Sequence, residues 1–285
     1  MQRLAPGSDP AASDFTERTV HTPDGVLGYR ERGSGPHAIV LLHGISSGSG
    51  SWSECAAALG GHARVIAWDA PGYGVSTALA EPAPTAPEYA ARIHALLEAL
   101  DIERCLLVGH SLGALMASAY SGLAAHRAAG FVLMSPALGY QGARAAQAAQ
   151  VRGRRLAALK ELGIEGMAGK LPDRLLTAQA GEAERETVRR NALRLHPRGY
   201  AQAVELLCGD DIDRYAPPAD RTLVYCGEHD IVTTPEQSAG YAQRHGFAFA
   251  LIPGAGHACY VERPAEVATI ILDALATFDA PGKTT

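Results

Sequence analysis

Cysteine is scarce in this chain, and none of it is paired in sequence. The five cysteines, at 55, 105, 208, 226 and 259, are odd in number and never form a CxxC pair, which excludes a disulfide framework and a zinc pattern. Cys105 and Cys226 fall within apolar runs, where a buried, inert thiol is expected. No apolar run approaches the length of a membrane span. The segment MQRLAPGSDPAASDF has one early Arg but no apolar stretch of the kind a secretory signal needs. A cytoplasmic protein with no membrane partner is the expectation. Positive charge is not in excess either: 25 Lys and Arg face 30 Asp and Glu, for a formal net charge of −5. That balance, with no basic tail, argues against a nucleic-acid partner. What remains is an ordinary globular composition, 47% hydrophobic and 19% charged. At 285 residues the chain is long enough to bury a core without disulfides or metals.

The pattern along the chain is one of alternation. FTERTV and GVLGYRER read as two short strands joined by a turn at Pro23-Asp24-Gly25. HAIVLL (37–42), ARVIAWD (63–69), RCLLVGH (104–110), GFVLMS (130–135), RTLVYCG (221–227) and FAFALIPG (247–254) are short apolar runs, as expected for strands buried on both faces. Helical patterns lie between them at 87–100, 112–125, 235–245 and 264–278. Strands alternating with helices predict a mostly parallel α/β sheet. Residues 137–218 break the rhythm with Ala, Arg, Leu and Glu. Stops at Gly163, Gly169, Pro172, Gly181 and Pro197 predict several short helices there. The expected organisation is a core of residues 1–136 and 219–285 with an inserted helical cap at 137–218. Segment 141–200 holds twelve Lys and Arg against six Asp and Glu, a formal +6 in a chain of net −5. This basic region is read either as a solvated helical face or as a lid favouring anionic substrates.

The strongest chemical signal is LLVGHSLGALMASAY. An apolar strand runs into Gly109-His110-Ser111-Leu112-Gly113 and then directly into a helical pattern, the context of a GxSxG nucleophile elbow. A serine hydroxyl needs a base to take its proton. His257, in the Gly-rich loop GAGHACY after the last strand, is the candidate. The acid is expected after the preceding strand, where GEHDIVTTP supplies Glu228 and Asp230, and Asp230 fits the G-x-x-D…P spacing better. The Leu112 amide, at the helix start, and the Ile45 amide, after His43-Gly44, are the expected oxyanion donors, with Ser46 the fallback for Ile45. His43 is expected to brace its loop, Trp52 to pack, and Asp69 and Gly72 of WDAPGYGVS to be structural. No HExxH or P-loop pattern occurs, and neither a metal nor a cofactor is expected.

In this order, His43-Gly44, DAPGYGVS, GHSLG, GEHDIVTTP and GAGHACYVERP resemble the landmarks of the α/β-hydrolase superfamily from about Phe15 to Phe278. The resemblance implies an eight-stranded, mostly parallel sheet and a helical cap between the sixth and seventh strands. Within the superfamily the chain is most similar to the 3-oxoadipate enol-lactonase group, through GAGHACYVERPAEV, GEHDIVTTPE and HPRGYAQAVELLCGDDI. It departs from that group in GHSLGA, in the Ser/Gly-rich loop after His43 and in KLPDRLLTA. Ser111 stands where dehalogenases and epoxide hydrolases carry Asp. The leading expectation is hydrolysis of a small carboxylic ester or lactone, with carbon–carbon hydrolysis of ring-cleavage dienoates as the alternative. Cofactor-free haloperoxidase or acyl-transfer activity and a non-catalytic binding role are lesser options. Arg152, Arg154, Arg155 and Arg174 are candidates to meet a substrate carboxylate. Exposed helices of the cap are a surface through which a homo-oligomer could form.

Overall fold

The structure, a computed structural model, describes residues 15–278. The leader that carried the signal-peptide expectation therefore lies almost wholly outside the described residues. Eight strands form one sheet in the order β1-β2-β4-β3-β5-β6-β7-β8. They are β1 Thr16–Thr22, β2 Gly25–Arg32, β3 Ala38–Leu42, β4 Arg64–Trp68, β5 Cys105–His110, β6 Ala128–Met134, β7 Thr222–Gly227 and β8 Ala248–Ile252. β1 and β2 form an antiparallel hairpin, and β2 also joins β4 antiparallel. Every other pairing is parallel. The burial of each run follows its place in the sheet. β3, β5 and β6 are apolar except for His110 at the end of β5, and buried at every residue, because helices cover both faces. β1 and β8, at the edges, are largely exposed or half-buried.

The helices are α1 Ser53–Leu59, α2 Ala86–Ala99, α3 Leu112–Ala124, α4 Ala145–Leu175, α5 Glu182–Ala192, α6 Pro197–Gly209, α7 Pro235–His245, α8 Cys259–Glu262 and α9 Pro264–Phe278. Local chemistry sets their ends. Thr85 and Glu88 close a capping box on α2, the Thr85 N–H donating to Glu88 Oε2 at 2.7 Å. α7 starts on Thr234-Pro235 and stops at Gly246, which is left-handed at φ 69°. None of the described helices is long and apolar enough to cross a membrane.

α4, α5 and α6 run consecutively between β6 and β7. Here one expectation is corrected. Of the predicted stops, Gly163 interrupts the helix, at φ 63° and ψ −177°, but Gly169 and Pro172 lie within its continuation to Leu175. An interior glycine costs about 1 kcal/mol and an interior proline about 3 kcal/mol, and the burial of Met167, Ala168 and Leu171 along the same stretch offsets them. The start of α6 meets the loop after β4 backbone to backbone at Gly199 and Gly72, where a Cβ on Gly199 would lie 2.0 Å from the Gly72 carbonyl oxygen. Gly72, at φ 79°, thus has the structural part expected of it.

Candidate active site

The site lies at the carboxyl ends of β3, β5, β7 and β8. At the first of these turns β5 passes into α3 through Ser111, at φ 54° and ψ −117°. A non-glycine residue there costs about 1–3 kcal/mol and persists only where its surroundings fix it. The Ser111 N–H donates to the Met134 carbonyl at 2.9 Å, and the Ser111 carbonyl accepts from Ala114 and Ala137. Gly109 and Gly113 are required by packing. A Cβ on Gly109 would lie 2.5 Å from the Gly113 carbonyl oxygen, and one on Gly113 would lie 2.3 Å from that of Leu42. The elbow turns tightly because both side chains are missing.

The loop after β3 closes over this turn. A Cβ on Gly44 would lie 2.9 Å from Ser111 Cβ and 3.4 Å from its Oγ. Ile45 follows directly and lines the same cavity as Ser111 and Leu112. Leu112 is the first residue of α3, so its N–H has no acceptor within the helix. His43 holds the loop. The Ala70 N–H donates to its Nε2 at 3.0 Å, so Nδ1 carries the proton and donates to the Gly44 carbonyl at 2.8 Å. Burial lowers the His43 pKa despite the nearby Asp69 charge, which keeps the ring neutral. Asp69 Oδ1 accepts from the Ser49 N–H at 2.8 Å, tying the far end of the loop to β4.

Asp230 and His257 meet as the sequence suggests. The Asp230 Oδ2 accepts from His257 Nδ1–H at 2.8 Å, leaving Nε2 as the ring's lone-pair nitrogen. Oδ1 of Asp230 accepts from the Val232 and Thr233 amides at 2.7 and 3.0 Å. Burial alone would raise the Asp230 pKa. The His257 charge, the His257 hydrogen bond and the two amides outweigh burial and hold it well below the usual carboxylate range. Glu228 faces elsewhere, accepting from the Gly254 N–H at 2.8 Å in the turn before His257.

Several residues here carried no distinct sequence signal. The Thr233 hydroxyl lies 2.9 Å from the Ser135 carbonyl, 3.0 Å from Asp230 Oδ2 and 3.2 Å from His257 Nδ1. His110 Nε2–H donates to the His257 carbonyl at 2.7 Å, and burial first, then the His257 charge, pushes the His110 pKa down to about 3. Tyr260 stacks on the buried Trp52 with ring centroids 3.9 Å apart and bonds Ser47 and Ser51 through its hydroxyl. Trp52 is thus a packing residue. Glu262 accepts from the Gly256 N–H at 2.7 Å and from both the N–H and hydroxyl of Thr177, linking the His257 loop to the residues just after α4.

A cavity of about 380 Å³ spans Ser111, His257, Ile45 and Leu112 on the sheet side and α4 on the other. Arg154, Arg155 and Arg174 line it. Arg152 does not: it is paired with Glu205 at 2.8 Å outside the cavity, which removes it from the candidate carboxylate-binding residues. Arg144 and Lys170, which the sequence did not single out, also line the cavity. An imidazole held by a carboxylate, sharing one cavity with a serine of strained backbone and with Ile45 and Leu112, has the groups needed to transfer a proton and stabilise an oxyanion.

The curated relatives include a 2-hydroxy-6-oxo-6-phenylhexa-2,4-dienoate hydrolase from Comamonas testosteroni, 30% identical over 48% of this chain and 48% of that protein. They also include an uncharacterized protein from Mycobacterium bovis, 41% identical over 39% of this chain and 32% of that one. The chain thus spans about a third to a half of the length of such relatives. Among solved structures, an enol-lactonase from Burkholderia xenovorans superposes with a TM-score of 0.80 at 25% identity, over 91% of this chain and 100% of that one. A thermophilic esterase from Thermogutta terrifontis has a TM-score of 0.79 at 23% identity, over 92% and 99%, and shares the fold. Residues 39–270 match the alpha/beta hydrolase family, and the chain belongs to it.

Proposed function

We propose that this protein is a serine hydrolase that cleaves a carboxylic ester or lactone through an acyl-enzyme. The observation that carries the reading is the His257–Asp230 pair set beside Ser111 in one cavity. In the proposed cycle, His257 Nε2 takes the Ser111 proton as Oγ adds to the substrate carbonyl. The Ile45 and Leu112 amides hold the resulting oxyanion. The C–O bond to the leaving group then breaks, and His257 returns the proton to the departing oxygen. A water, deprotonated by His257, cleaves the acyl-enzyme and restores Ser111. Asp230 fixes the imidazole tautomer and stabilises the imidazolium without itself taking the proton. Residues 137–218 act as the cap that shapes the pocket over a core of residues 1–136 and 219–285. All five cysteines are free and buried, which suits the reducing cytoplasm as the proposed compartment.

A second reading, hydrolysis of a carbon–carbon bond in a dienoate, is favoured by the similarity to the Comamonas enzyme. Turnover of p-nitrophenyl esters, an enol-lactone and a ring-cleavage dienoate separates the two readings. Labelling by a fluorophosphonate tests the nucleophile. The wild type is expected to label and Ser111→Ala to stay unlabelled, and equal labelling of both would remove Ser111 from its role.

A further inference from the structure

The Arg and Lys side chains that line the cavity, together with Arg152 outside it, fall into two groups. Arg144 and Arg152 are compensated: Arg144 pairs with Asp211 at 2.6 Å and donates to the Gly139 and Leu138 carbonyls, and Arg152 pairs with Glu205. Arg154, Arg155, Lys170 and Arg174 are not, and among the described residues none of the four makes an ion pair. All four line the cavity that holds Ser111, and none of the described residues lining it is an Asp or Glu. Arg155 donates to the Tyr200 hydroxyl at 3.3 Å, while its Nε is buried with no partner. Partial burial, then the charges of Arg155 and Arg154, push the Arg174 pKa below the ordinary guanidinium value. Arginine stays charged regardless, so the cluster stands as concentrated positive charge.

The backbone brings these charges together. Arg154 and Arg155 precede the break at Gly163, and Lys170 and Arg174 follow it. Both halves of α4 thereby face one cavity. Arg154, Lys170 and Arg174 are exposed, which places them at its open side, whereas Ile45 and Leu112 beside Ser111 are buried and apolar. An occupant with its carbonyl at Ser111 would meet apolar walls first and cations farther out.

We propose that the substrate carries an oxyanion group, carboxylate or phosphate, remote from the scissile carbonyl, and that Arg154, Arg155 and Arg174 receive it. Guanidinium forks match such groups bidentately, and a cleft lined by one sign of charge also steers anions into it. The turnover arm of the test rests on the hydrolase reading above, and the binding arm does not.

The turnover arm compares p-nitrophenyl hemiesters of glutarate, adipate and suberate with the pentanoate, hexanoate and octanoate esters, adding hexanoate esters with a terminal phosphate. At low salt the wild type is expected to favour at least one anionic ester over its neutral partner by about tenfold or more in kcat/KM. That ratio shrinks as ionic strength rises. The variant R154Q/R155Q/R174Q, checked for an intact fold by circular dichroism, is expected to bring the ratio to within about twofold of unity, whereas Arg152→Gln keeps the wild-type ratio. The better of the carboxylate and phosphate series names the group. The binding arm titrates Ser111→Ala with monomethyl adipate and with methyl hexanoate by calorimetry. Preferential binding of the anion, lost on the triple substitution, supports the site even if no ester is turned over, and in that case the hydrolase reading alone fails. A wild-type ratio near unity, a ratio untouched by the triple substitution, or equal binding of the two probes overturns the anion site.

Discussion

The two walls of the cavity satisfy their charges by opposite means. On the sheet side, Asp230 has both oxygens engaged, by two backbone amides, the His257 N–H and the Thr233 hydroxyl, within a few residues of two strand ends. On the α4 side, Arg154, Arg155 and Arg174 project from a broken helix, and among the described residues none of them makes an ion pair and no acid lines the cavity. A charge fully paired within the protein is held in place and can serve one fixed chemistry. A charge left unpaired at a cavity is available to whatever enters. Under the proposed function, the contrast gives reaction to the sheet side and selectivity to the helix side.

Breaking the sheet side should have the largest effect. Asp230→Asn is expected to lower kcat by about 10⁴-fold, because the amide no longer fixes the His257 tautomer, while binding of a substrate analogue to the folded variant is kept. Steady-state kinetics together with calorimetric binding would check this, and a loss of binding equal to the loss of kcat would contradict it. Thr233→Val comes next. It keeps the shape but leaves the Ser135 carbonyl and Asp230 Oδ2 without a shared donor, at a cost of about 1–3 kcal/mol. As a positioning residue, Thr233 should act on kcat, roughly tenfold, with KM little changed, and Thr233→Ser should restore most of the rate.

The α4 side is tested more gently. Gly163 occupies a backbone region essentially reserved for glycine, and a Cβ there would meet open space, so strain and not clash sets the cost of Gly163→Ala. A loss of about 1–3 kcal/mol in unfolding free energy is expected by denaturant titration, together with a smaller preference for anionic esters. If α4 tolerated alanine with neither change, the break would not be what aligns the cations.

The effect that is smallest near neutral pH is a pH dependence of stability. Burial holds His110 and His43 neutral in the folded state, His110 with its pKa near 3. Between the ordinary histidine value of about 6.5 and that lowered value, the unfolded chain binds protons that the folded chain refuses. Stability should therefore fall on acidification from about pH 6.5, at up to about 1.4 kcal/mol per pH unit for each such group. Melting temperature against pH should show a shallower slope in His110→Gln than in the wild type.

How far the sequence revealed each wall follows from the same contrast. The sheet side is assembled from short local patterns, GHSLG, GEHD and GAGH, each at or just past the end of a strand, so Ser111, Asp230 and His257 could be proposed from sequence order and spacing. Thr233 could not, because a threonine near a strand end has many ordinary uses and its three neighbours come from separate segments. Glu262 was hidden for a related reason: its partner Thr177 is 85 positions away. On the α4 side, Gly169 and Pro172 read as stops, yet packing of Met167, Ala168 and Leu171 carries the helix through them. With the helix phase unknown, Arg152 could not be told from Arg154, though only Arg154 faces the cavity.

Under the proposed function, the Ser111 hydroxyl at the end of β5 bonds covalently to substrate. Intact-mass measurement after incubation with a slowly deacylating p-nitrophenyl ester, followed by peptide mapping, tests it most directly. One acyl group is expected, on the peptide that carries Ser111, absent from Ser111→Ala and accumulating with a burst of p-nitrophenol. Ester turnover with no adduct on that peptide, or an adduct undiminished in Ser111→Ala, would contradict it.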